Sequence, residues 1–131
     1  MRLPLRPRPF LVLGLVCALG AQDTDLAEKL YRSGERAYAA KSYKEAVDTW
    51  NQLLGSAPRS GYAPQAALRI ARHLWEVDGK ADAAMPYLDR LKTDYLQTPW
   101  AAQGLLLRGT ILASKARKPD ELKDAVAEFN R

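Results

Sequence analysis

The feature that most constrains this chain is a period. Residues 43–74 reappear 38 positions later without a gap: Ala46 with Ala84, Val47 with Met85, Trp50 with Leu88, Leu53 with Leu91, Ser60 with Thr98, Tyr62 with Trp100, Ala63 with Ala101, Gln65 with Gln103, Leu68 with Leu106 and Leu74 with Leu112. A unit of that size is a supersecondary element that cannot bury its apolar face alone, so it stacks on its neighbours. After Leu112 the register slips by three, because the Ala46 and Ala84 position is next taken by Ala125, with Val126 and Phe129 following. An insertion at Lys115–Lys118 accounts for the slip.

Within each unit the apolar spacing is helical. Leu26, Leu30, Gly34 and Ala37 share a face from Asp25 onward, and Tyr43, Ala46, Val47, Trp50, Leu53 and Leu54 form a stripe that stops at Gly55–Pro58. Asp25 with Glu28, and Ser42 with Glu45, have capping-pair spacing, which predicts helix starts at Asp25 and near Ser42. The link between those two helices permits only an antiparallel hairpin. Pro86 predicts either a helix beginning near Asp82 or a modest bend, and Pro119 with Asp120 and Glu121 predicts the start of the last helix. Gly34, Ala46, Ala84 and Gly109 are expected where helices cross, since larger side chains would separate the axes beyond roughly 8–10 Å.

The amino terminus has a different character. Arg2, Arg6 and Arg8 precede an uncharged run, Phe10–Leu19, and Ala18 and Gly20 are small residues of the kind found at a cleavage point. This is the pattern of a signal peptide over residues 1–20, cut after Gly20 or Ala21. The run is too short for an anchor, which needs about 20 apolar residues, so membrane contact is expected to be transient. Cys17 lies inside it and is the chain's one cysteine, which leaves residues 21–131 without a disulfide, a thiolate metal site or a cysteine nucleophile. Removing the leader takes three arginines with it and leaves 17 basic against 15 acidic side chains. The basic character of the whole chain is therefore no argument for nucleic-acid binding, and Lys115, Arg117 and Lys118 are suited to a helix end.

Residues that would carry catalysis are missing from the sequence. His73 is the single histidine, and neither a nucleophile elbow nor a phosphate-binding loop occurs. Asp78 and Asp82, and Asp120, Glu121 and Asp124, fall at expected helix ends, where acids cap and solvate. Trp50 and Trp75 lie on apolar stripes and are expected in the core. The reading is a non-enzymatic domain with no cofactor and no metal.

These residues resemble the tetratricopeptide repeats. The match runs through Gly34, Ala46, Trp50 and Pro58 in repeat 1 (24–58, with "SYKEAVDTW" as its clearest segment), Ala71, Trp75, Gly79, Ala84 and Leu88 in repeat 2 (60–95), and Gly109, Ala125 and Phe129 in repeat 3 (98–131). "PRSGYAPQAAL" and "TPWAAQGLL" resemble the longer repeats of bacterial envelope members, notably the periplasmic partner of the Tol-Pal system and the tetratricopeptide lipoprotein of outer-membrane barrel assembly. The resemblance implies an all-α, right-handed superhelical solenoid of three helix hairpins over residues 21–131, preceded by the signal peptide and forming the front part of a longer array. In this family the first helix of each pair lines a concave groove. That implies partner contacts at Tyr31, Glu35 and Tyr38, at Arg69, His73 and Glu76, and at Leu107, Ile111 and Lys115. The family's clamp for peptide carboxylates pairs Lys with Asn, and Asn51 and Asn130 fall instead on second helices.

The leading expectation is an exported protein-protein interaction scaffold of the bacterial envelope, periplasmic or secreted, that holds a peptide or partner helix. Two alternatives are a glycan- or peptidoglycan-binding helical module or arm of a cell-wall enzyme, and a weak polyanion binder using Arg69, Arg72 and Arg108. Leu122, Ala125, Val126 and Phe129 give the last helix an apolar face without a polar cap, so self-association or a further segment is expected to cover it.

Overall fold

Six helices and no strand make up the described residues: α1 (Phe10–Ala39), α2 (Tyr43–Ser56), α3 (Ala63–Arg72), α4 (Ala81–Asp94), α5 (Pro99–Lys115) and α6 (Pro119–Phe129), with α3 prolonged by a π-helical turn, His73–Val77. The structure is a computed structural model that describes the backbone of residues 10–116 and 119–130 and the side chains of 23–116 and 123–130. Arg2, Arg6, Arg8, Arg117, Lys118 and the side chain of Leu122 lie outside the described residues. Among the described residues, no helix is long and apolar enough to cross a membrane.

Each helix packs on its neighbour in sequence, and α3 also touches α5. The first pair is antiparallel: the Tyr38 and Tyr43 rings meet beside the turn at 4.9 Å, and further back Gly34 lies against Trp50. A Cβ on Gly34 would fall inside the indole, so the glycine is what lets α1 and α2 approach. Trp50 is fully buried there, and its Nε1 donates to the Tyr31 carbonyl at 3.3 Å. The same relation recurs in the third pair, where a Cβ on Gly109 would come to 3.0 Å from the Phe129 ring. Ala46, Ala84 and Ala125 are all fully buried, as small residues at helix crossings should be.

Alternate helices touch at a near-constant sequence offset. Arg69 bonds Glu35, His73 faces Tyr38, Tyr87 donates to Asn51, Arg90 to the Leu54 carbonyl, Tyr95 to the Pro58 carbonyl, Lys92 to Glu128 and Arg72 to Gln103, all between residues 31 and 37 positions apart. The core runs along the molecule between these layers, with Trp50, Leu53, Ile70, Leu88, Leu91 and Ile111 as its largest fully buried side chains.

Several local expectations are corrected. No helix starts at Asp25, because α1 already runs through it; Asp25 accepts from Lys29, and Glu28 from Arg32, as i,i+4 ion pairs. The Ser42 boundary is right, but the capping pair is not formed. Lys41 turns the chain with φ 62, the Ser42 N–H donates to Ala37, and ψ 63 takes the hydroxyl out of capping geometry. The Ser42 backbone donor that Glu45 would have reached is thus already occupied.

α4 begins at Ala81 and carries Pro86 in its interior, while α6 begins at Pro119 as expected. The end of α3 follows from Gly79, whose φ of 65 lets Lys80 N–H reach the Leu74 carbonyl six residues back at 2.7 Å. Leu68 and Leu106, equivalent by sequence, differ: the first is 4% exposed and the second 59%. α5 lies beside α3, and no described helix stands in that place beside α5. Val126 and Phe129, at 49% and 46%, are exposed as well.

Candidate functional site

The first helices α1, α3 and α5 lie side by side, and the seam between α1 and α3 gathers most of the polar side chains predicted for the groove. Tyr31, Glu35 and Tyr38 recur at steps of four and three on α1, which puts them on one face, and Arg69 and His73 are one turn apart on the facing helix. Arg69 donates from Nε and Nη2 to the two oxygens of Glu35, each at 2.7 Å. This bidentate pairing fixes the guanidinium plane as well as its position. Its face lies 5.1 Å from the Tyr38 ring centre and 5.5 Å from that of Trp50, within cation-π range. The Glu35 bonds hold the Arg69 pKa above its ordinary value.

His73 sits at the end of this seam, 5% exposed. It meets the Tyr38 ring edge-on at 5.6 Å and the Tyr43 ring at 5.1 Å. Its Nδ1 is 3.4 Å from the Tyr38 hydroxyl and its Nε2 is 3.4 Å from Asp78 Oδ1. Both ring nitrogens therefore face protein groups, and the ring offers neither to a substrate. Burial raises the pKa of the Tyr38 hydroxyl, and at Tyr31 burial and then the Glu35 carboxylate do the same. Both phenols stay neutral across the physiological range.

The remaining predicted positions are spread along the molecule. Glu76 is exposed on the π-helical turn, Leu107 is half-buried against the core, and Lys115 is exposed and paired with Asp82 at the start of α4. Ile111 is fully buried. His73 and Ile111 are thus interior residues and not groove contacts. They are 38 positions apart, so this repeat position faces the adjoining helices on α3 and α5, whereas its counterpart on α1, Glu35, is half-buried.

Sequence reasoning missed the open side of the same wall. Tyr62, at the start of α3, lies 5.5 Å from the Tyr31 ring. Tyr31, Arg32, Glu35, Arg36 and Tyr62 line a shallow cavity of about 330 Å³. Further along, Arg72 donates from Nη2 to Gln103 Oε1 at 3.1 Å across α3 and α5. The signal was available: Arg32 and Arg36 each follow a groove residue by one position, which on a helix rotates them from the seam toward its rim.

A second polar cluster ties α4, α5 and α6 together. Arg108 bonds both Asp89, at 3.0 Å, and Glu128, and Lys92 approaches Glu128 at 3.5 Å. Glu128 is 7% exposed, so its charge is balanced by cations and not by water. No cluster of metal-ligating side chains occurs among the described residues. No protein-family model matches the chain, and no curated protein matches it in sequence.

Proposed function

We propose that the chain is a short array of three tetratricopeptide-like hairpins, exported to the bacterial envelope, that holds a peptide or partner helix on the wall built by α1, α3 and α5. The near-constant offset of contacts between alternate helices supports stacked hairpins. The observation that carries the binding reading is the pocketed rim where the paired Tyr31 and Tyr62 rings adjoin Arg32 and Arg36. Rigid aromatic area next to arginines is the chemistry that dominates protein interfaces. The Arg69–Glu35 pair beneath it keeps the two helices in register and so holds that rim in shape before a partner arrives.

The test is site-specific photocrosslinking in cells that make the protein, with the crosslinker placed at Gln65 or Leu107 on the wall and at Asp48 on the outer helix α2. Discrete adducts from the wall positions and none from Asp48 support the reading. Equal adducts from both sides, or none from the wall, reject it.

A further inference from the structure

The charges of this molecule are divided between its two helix layers. The first helices, with the π-helical turn, hold seven basic and five acidic side chains, while the second helices α2, α4 and α6 hold four basic and nine acidic. α5 contributes Arg108 and Lys115 without any acid. Most of the cations on the first helices are already paired: Lys29 with Asp25, Arg32 with Glu28, Arg69 with Glu35, Arg108 with Asp89 and Glu128, and Lys115 with Asp82. Arg36 and Arg72 differ. Both are exposed, and among the described residues neither forms an ion pair with a carboxylate; Arg72 donates instead to the neutral amide of Gln103.

Resting on the binding reading above, we infer that the segment held on this wall is an acidic peptide, whose side-chain carboxylates pair with Arg36 and Arg72 while an apolar or aromatic residue enters the cavity beside Tyr31 and Tyr62. Arginine presents a planar fork matched to a carboxylate, and neither guanidinium is held in an ion pair, Arg72 giving one Nη2 donor to Gln103. The layer behind them is net negative, so an acidic segment is drawn to the first helices and turned away from the second. A nucleic acid fits less well. Its phosphates follow one another every few ångströms, and Glu28, Glu35 and Glu76 would stand among them on the same helices. A peptide can space its carboxylates to match two separated arginines.

The experiment is selection of a random peptide display library on the protein and on the double variant Arg36→Ala, Arg72→Ala, with Arg59→Ala as an exposed control outside the wall. Circular dichroism first shows that all three proteins are equally helical. The expected result is enrichment of Asp- and Glu-rich sequences on the protein and on Arg59→Ala. A synthetic copy of the leading peptide should bind the double variant roughly tenfold more weakly and lose affinity as salt rises. Enriched peptides without excess acid that compete with one another and lose binding in Leu107→Glu would overturn the acidic partner and leave the groove intact. No peptide dependent on any wall residue would overturn both. A single-stranded oligonucleotide that displaces the peptide, with the steeper salt dependence, would assign the arginines to nucleic acid instead.

Discussion

Gly34 and Trp50 set the spacing of the first hairpin, one by having no side chain and the other by filling the space that leaves. Replacing Gly34 by Ala puts a methyl group where the indole already lies, with no exposed side on which the ring could yield, since Trp50 is fully buried. The expected cost is about 1–3 kcal/mol, the range for forcing extra volume into a closed core, and it should be visible as a lower urea midpoint at unchanged slope. A loss under about 0.5 kcal/mol would mean that the ring and glycine are not in contact. Each was legible in the sequence, Gly34 as a small residue at a helix crossing and Trp50 as a core aromatic, but not as each other's partner. Arg69 and Glu35 were legible as polar residues on the right faces but not as each other's partners. Nothing local to either says that a residue 34 positions away will take both of its oxygens.

The helix starts near Ser42 and at Pro119 were read correctly, and the start at Asp25 was misread because capping chemistry was inferred from spacing alone. Asp25 and Glu28 lie three residues apart in a helix that continues past them, and each pairs with the base four residues on, Lys29 and Arg32, instead of capping a start. Pro86 shows the converse. It occupies the sixth position of α4, where its ring presses on the Asp82 carbonyl and no N–H is available to bond it. Its side chain is exposed, so substitution disturbs no core contact. Pro86→Ala should therefore stabilise the protein by about 1–2 kcal/mol, the gain in helix hydrogen bonding being offset in part by a freer unfolded chain. Thermal unfolding measures this, and a lower midpoint than the parent would show that the proline suits its backbone.

Across the whole molecule, the uncapped apolar face expected on the last helix is exposed at Val126 and Phe129, whereas the period did not foretell the exposure of Leu106. Leu106, Val126 and Phe129 are exposed although their repeat partners Leu68, Val47 or Met85, and Trp50 or Leu88 are buried or half-buried, because burial depends on the next layer and not on the residue alone. Glu128 escaped the sequence reading for a similar reason: as one acid among several on α6 it looks solvated, and only the approach of Arg108 and Lys92 encloses it. Removing one member leaves a poorly hydrated charge. Arg108→Met or Glu128→Met alone should cost about 2–4 kcal/mol, and the two together less than the sum of the singles. Additive losses in chemical denaturation would show that the pair contributes no coupling.

The unbroken run of α1 bears on maturation. Ala27 is the earliest described side chain of α1 taken fully into the interior, while Asp23, Thr24, Asp25 and Leu26 stand in solvent. If the leader expected from the sequence is cut after Gly20 or Ala21, the cut falls ahead of Ala27, and every described side chain of the buried core stays with the trimmed chain.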